Sequence, residues 1–219
     1  KVVGELFSSK RFIILGSVDI HNTSCSQIEK NIVDQITNFG IVGIKLHPNL
    51  QNFKPQPSHN PSKLSEKLHC LYKFAEKEGL YLLFHGGISN YTNFIDPKYK
   101  GVLRSYNNAV LENFCSKKGK SELFENYSIP IVIAHLGHYG ITIPNYELIK
   151  LIVKKFGNVY FDTSGVSPYF IRNVLRSIPS TKIIFGSDGL YNRMAYNLAF
   201  LYLAAENARS GEKKEDILL

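Results

Sequence analysis

Six short apolar runs rich in β-formers punctuate the chain: Phe12 to Val18, Ile41 to Leu46, Leu80 to Phe84, Ile131 to Ala134, Val159 to Phe161 and Lys182 to Phe185. Each gives way to a polar or glycine-rich turn. Between them, apolar residues recur at helical spacing, as in Ile28, Ile32, Val33 and Ile36, and again in Leu64, Leu68, Leu71 and Ala75. A third helical face carries Leu148, Ile149, Ile152, Val153 and Phe156, and begins beside Pro144, which suits a first helical turn. Strands apolar on both faces that alternate with amphipathic helices predict a parallel sheet covered by helices. Two architectures satisfy that pattern, an open doubly wound sheet and a closed (β/α) barrel. The long irregular stretch from Gly86 to about Arg104 mixes Tyr91, Phe94 and Tyr99 with Asn90, Asn93 and Pro97, and is expected to be a loop covering a site.

Length and composition narrow the class without changing that picture. At 219 residues, 44% hydrophobic and 20% charged, the chain has the make-up of one globular α/β domain covering residues 1–219, with no linker or internal repeat. Its apolar runs fall far short of the roughly 18 residues needed to cross a bilayer, so no membrane partner is expected. Lys10 and Arg11 before Phe12 to Leu15 imitate a signal peptide, but no small-residue cleavage pattern follows, and the run reads as a buried strand. Cys25, Cys70 and Cys115 are odd in number and widely spaced, which implies neither a disulfide framework nor a thiolate metal site and points to a reducing, cytoplasmic compartment. The net charge of +8 arises from scattered lysines, with clusters at Lys117 to Lys120 and at Lys213 and Lys214. These read as a solvated surface rather than a nucleic-acid site.

The chemistry lies where the runs end, because both architectures build their sites at the carboxyl ends of strands. The second run ends in Lys45-Leu46-His47-Pro48, the third in His85-Gly86-Gly87, the fourth in His135-Leu136-Gly137-His138 and the last in Ser187-Asp188. Neutral imidazoles and a carboxylate from separate strands are the donors that close a Zn²⁺ coordination sphere. Taken singly, a strand-end histidine is more often a turn residue and a strand-end aspartate a helix cap; His85, His135 and Asp188 together favour a site. Lys45 and His47 share strand parity and are expected on one side, toward the barrel mouth. His21, His59 and His138 have no such placement, and His69 falls within a helical pattern. Gly186-Ser187-Asp188 is not a nucleophile elbow, and neither a dinucleotide fingerprint nor a P-loop occurs.

The ordered succession GIKLHP, LFHGG, IVIAHLG, VYFDTSG and IIFGSD, from about Arg11 to Asp188, resembles the amidohydrolase superfamily, in the branch that includes aminocarboxymuconate-semialdehyde decarboxylase. The resemblance implies a TIM (β/α)8 barrel of the metal-dependent hydrolase type, with these six runs as strands three to eight. It makes His85 a metal ligand, Asp188 a ligand that also takes a proton from water, and His135 a residue that polarises substrate or binds metal. Lys45 lies near the position where two-metal members carry a carboxylated lysine. The His-x-His pair that ends the family's first strand is absent; Asp19-Ile20-His21-Asn22 comes closest. Strands one and two are thus expected to be missing from this chain, and the barrel to be incomplete at both ends. An opened barrel would expose strand edges and apolar surface.

The expected activity is metal-dependent hydrolysis of a small polar amide, lactone or related carboxylic substrate. Catalysis would fall to Asp188 and His135, substrate binding to Lys45 and His47, and the divalent ion, Zn²⁺ foremost, to His85, His135 and Asp188. Alternatives are a metal-dependent decarboxylase of a small carboxylic acid and a catalytically inactive barrel used for binding. The aromatic-bearing segment from about Tyr191 to Tyr202 would serve a homo-oligomer interface if exposed, with burial within the monomer as the expected arrangement.

Overall fold

The computed structural model describes residues 13–57, 63–89, 107–189 and 193–208. Its strands are β1 (Leu15–Gly16), β2 (Gly43–Leu46), β3 (Tyr81–Phe84), β4 (Ile131–Ile133), β5 (Val159–Asp162) and β6 (Ile183–Ile184). They form one parallel sheet in the order β1-β2-β3-β4-β5-β6. That order decides between the two predicted architectures. A doubly wound sheet must reverse its strand order to place helices on both faces, whereas an unbroken sequential order with right-handed crossovers puts every helix on the same face. The sheet is therefore of the barrel kind, and it is not closed: among the described residues β1 and β6 are edges.

The two faces of the sheet differ as this requires. Ile44, Leu46, Leu82, Phe84, Ile131, Ile133, Val159 and Phe161 alternate onto the helix-covered face and are fully buried. On the opposite face Lys45, Tyr81, Leu83 and Tyr160 are only half-buried, and Ile184 is exposed. The covering layer comprises α1 (Cys25–Phe39), α2 (Lys63–Lys77), α4 (Tyr146–Lys155), α5 (Pro168–Leu175) and α6 (Met194–Asn207), with α3 (Glu122–Asn126) a short turn before β4. Helix α1 buries Ile28 and Ile32, and starts at a capping box in which Ser24 and Gln27 satisfy each other's backbone N–H groups. Helix α2 buries Leu68, Leu71, Tyr72 and Ala75.

Helix α4 starts two residues after Pro144, which lies outside the helix, because Asn145 is the N-cap and accepts from Leu148 N–H; the helix with proline in its first turn is α5. The outermost strands are shorter than their apolar runs. Having one neighbour each, β1 pairs only through Leu15 and Gly16, and Ser17 N–H turns to the Gln35 side chain. Residues 180–182 coil into a 3-10 turn before β6.

Two expectations are corrected. Cys25 at the start of α1 and Cys70 in α2 form a disulfide with Cα atoms 5.7 Å apart, while Cys115 is free and buried. The spacing in sequence hid this pairing because it depends on how two neighbouring helices are rotated, and cysteine usage no longer argues for a reducing compartment. Helix α6 buries Asn197, Leu201, Ala204 and Ala205 and leaves Met194, Tyr196, Leu198 and Tyr202 exposed, so among the described residues its aromatic face is largely uncovered. Among the described residues no helix is long and apolar enough to cross a membrane. Lys117, Lys118 and Lys120 are exposed, as a solvated cluster should be. Lys10, Arg11, His59, Lys213, Lys214 and the predicted loop from Asn90 onward lie outside the described residues.

Candidate active site

The strand ends converge on a cavity of about 710 Å³ that runs along the concave face of the sheet and is lined by Lys45, Leu83, Val132, His135, Tyr160, Asp162, Ser164, Phe185 and Asp188, among others. Of the predicted residues, Lys45, His135 and Asp188 reach this cavity directly. Burial holds the Lys45 amine below the usual lysine range, against the pull of the Asp162 and Asp188 carboxylates. Asp188 stands in the left-handed backbone region, with φ 49°.

His47 and His85 sit beside the cavity wall rather than in it. Their rings stack with centroids 4.0 Å apart and 11° between planes, and His85 meets His135 edge-on at 4.9 Å. Tyr139 completes the cluster, 4.9 Å from the ring of His135 and 5.6 Å from that of His85. Burial, followed by the charges of Lys45 and His135, pushes His47 down to about 4; burial, then the neighbouring His47 and His135, pushes His85 to about 2. Both imidazoles are thus neutral at ordinary pH, the form in which a histidine donates a lone pair.

The turn that presents His135 is strained. His135, Leu136 and Gly137 follow β4 with φ values of 58°, 49° and 73°. For the two residues that carry a Cβ this conformation costs roughly 1–2 kcal/mol each. Gly86, at the end of β3, lies against this turn so closely that a Cβ there would stand 2.4 Å from the Ala134 carbonyl oxygen. Asn49, wholly buried, ties the neighbouring loops together by donating to Gly87 O at 3.0 Å and accepting from Ala109 N–H at 2.7 Å.

Asp19 and His21, the nearest approach to a His-x-His pair, are otherwise occupied. Asp19 accepts from the backbone of His21 and Asn22 and from the Asn22 side chain, and His21 Nε2 pairs with Gln51 O. His69 bonds the Tyr127 hydroxyl, in keeping with its helical pattern. His138 is buried with both ring nitrogens engaged. Sequence reasoning passed over Asp162, Ser164 and Asn49. Asp162 ends β5 just as Asp188 follows β6, so the rule that selected one aspartate also pointed to the other. His85, His135 and Asp188 are donors suited to a divalent ion. Even so, among the described residues no three His, Cys, Asp or Glu side chains close on a single point.

The family described as Amidohydrolase matches residues 14–219, nearly the whole chain. The chain belongs to the amidohydrolase family. Among solved structures, the chain is similar to 5-carboxyvanillate decarboxylase LigW from Sphingomonas paucimobilis, with 17% identity over 99% of this chain and 67% of that one and a TM-score of 0.57. It is likewise similar to a probable 2-pyrone-4,6-dicarboxylic acid hydrolase from Acinetobacter baumannii with citric acid bound, with 16% identity, 100% and 74% coverage and a TM-score of 0.60. A third, 5-carboxyvanillate decarboxylase from Novosphingobium aromaticivorans with bound manganese, shows 14% identity, coverage of 99% and 65%, and a TM-score of 0.59. No curated protein sequence matches the chain. The chain thus spans about two thirds to three quarters of these three structures. At such identities the likeness speaks to fold: a TIM-barrel sheet of which six consecutive parallel strands are described here.

Proposed function

We propose that the cavity is the active site of a hydrolase acting on a small polar amide, lactone or related carboxylic compound. The observation that carries this reading is the convergence of a carboxylate, an imidazole and a partly desolvated amine, Asp188, His135 and Lys45, in one cavity at the ends of three strands. Asp188 accepts a proton from the attacking water, and His135 stabilises charge developing on the substrate oxygen or returns a proton to the leaving group. Lys45, on the cavity wall, binds the anionic end of the substrate, and His47 supports the site from behind by stacking on His85. His135 and Asp188, which line the cavity, would contribute to holding a divalent ion, with His85 beside the wall as the third expected ligand; Zn²⁺ is the expected ion, and when bound it would supply Lewis acidity.

A decarboxylase is the second reading. Leu83, Val132, Tyr160 and Phe185 give the cavity an apolar wall that disfavours a carboxylate placed against it, and His135 would deliver to the carbon the proton that replaces the departing CO₂. The test is to assay the purified protein, supplemented with Zn²⁺ or Mn²⁺, against lactones, amides and small aromatic acids, reading ring opening and CO₂ release separately. Asp188→Ala should abolish turnover in protein that circular dichroism shows to be folded; a near-normal rate would remove Asp188 from the mechanism. Absence of both turnover and metal binding would favour the inactive-barrel alternative.

A further inference from the structure

We propose that Asp162 is a positioning residue that sets both the backbone and the ring tautomer of His135. The inference rests on the reading in which His135 acts in the cavity, and assigns a role to a carboxylate that this reading leaves unused. One oxygen of Asp162, Oδ1, accepts from three donors: His135 N–H at 2.9 Å, Ser164 N–H at 2.9 Å and the Ser164 hydroxyl. The first of these bonds fastens the left-handed turn at the residue where it begins, so the strained backbone that aims His135 is tied to the end of β5.

The other two bonds determine the proton on the ring. His135 Nδ1 lies 2.7 Å from the Ser164 carbonyl oxygen and 2.9 Å from the Ser164 Oγ. A carbonyl only accepts, and the hydroxyl has committed its hydrogen to Asp162, so toward His135 it too accepts. Both neighbours therefore require a hydrogen on Nδ1, which leaves the Nε2 lone pair for a metal ion or a substrate proton. The backbone just after β6 keeps the carboxylate in place: a Cβ on Gly186 would stand 2.9 Å from Asp162 Cγ and 2.9 Å from Ser164 Cβ. A carboxylate that merely ended a strand would leave the ring tautomer indifferent to its removal.

The experiment uses the full chain, ¹⁵N-labelled and without added metal, and reads the His135 ring by long-range ¹H–¹⁵N correlation. The wild type should show a single Nδ1–H tautomer, Asp162→Ala a mixture with Nε2–H, and Asp162→Asn, whose amide oxygen still accepts, a retained Nδ1–H. Mn²⁺ affinity, measured in parallel, should fall 10- to 100-fold in Asp162→Ala and less in Asp162→Asn. If Asp162→Ala fails to fold, Asp162→Asn carries the test through hydrogen exchange of the His135 amide, which the weaker acceptor should quicken about tenfold. An Nε2–H ring in the wild type, an unchanged Nδ1–H ring in Asp162→Ala, or an unchanged exchange rate in Asp162→Asn would overturn the proposal. The ring and amide signals do not depend on metal. A wild type that shows the Nδ1–H ring yet binds no Mn²⁺ therefore supports the role of Asp162 while removing the metal from the functional reading.

Discussion

Replacing His138 with Phe isolates a latch whose strength and pH dependence can both be worked out in advance. His138 Nδ1–H donates to Leu136 O at 2.6 Å, and Nε2 accepts from Asn145 N–H at 2.7 Å, joining the segment after β4 to the N-cap of α4. The ring is buried and packs edge-on against Phe170 at 5.2 Å. Phenylalanine preserves that packing and strands one carbonyl and one N–H. A buried group left without a partner costs about 1–3 kcal/mol, and the half-buried Asn145 N–H costs less than the buried Leu136 carbonyl, so a loss of about 2–4 kcal/mol is expected at pH 7.5. Burial holds His138 below its ordinary value, with the Leu136 hydrogen bond and the Glu112 carboxylate opposing. As pH falls below about 6.5 the unfolded chain takes up a proton that the folded latch refuses, because a proton on Nε2 would face the Asn145 N–H. The stabilising latch is thus fully present above the unfolded value and weakens as pH falls toward the folded one, with a slope of at most about 1.4 kcal/mol per pH unit. Urea unfolding of wild type and His138→Phe from pH 8 to 5 measures the gap. His47 and His85 titrate in both proteins, and their contributions cancel in the difference. A gap that stays constant across this range, or a variant as stable as wild type at pH 7.5, would refute the latch.

Three further outcomes follow from the packing. Cys25→Ser should lower stability by about 4 kcal/mol through loss of a bridge spanning 45 residues, and reductant should do the same to the wild type but nothing to the variant, as thermal melts with and without reductant would show. Leu71→Ala, which empties a fully buried position of α2, should cost about 2–5 kcal/mol in denaturant unfolding. By contrast Leu198→Lys, on the 50% exposed side of α6, should change monomer stability by less than about 0.5 kcal/mol; a larger loss would mean that this face is covered in solution, which sedimentation would reveal.

What could be read from the chain followed from short-range rules. Most of the parallel strands are apolar on both faces, so the six runs stood out, and the residues within or after them were visible as a set: Lys45, His135 and Asp188 do share one cavity. Strand order, which decides barrel against doubly wound sheet, is a long-range property with no local signature. The left-handed turn was hidden because His135 and Leu136 are residues that avoid it; only the glycine that follows hinted at the geometry. Asp162 and Ser164 act through partners 27 and 29 residues away, and no spacing rule connects them to His135. The disulfide and the exposed face of α6 depend on how the described helices are rotated against their neighbours, which periodicity alone leaves undetermined.

The Cys25–Cys70 bridge also changes the topology of the polypeptide itself. It closes a covalent ring that contains β2, and with it Lys45 and His47. A single protease cut inside this ring releases no fragment until the bridge is reduced, so such nicks are silent on a non-reducing gel. Under mechanical load the ring also withholds its 45 residues, about 150 Å of contour, from a chain pulled by its ends. The wall of the cavity that bears Lys45 is therefore shielded from extension, whereas the walls bearing His135 and Asp188 yield to the same force.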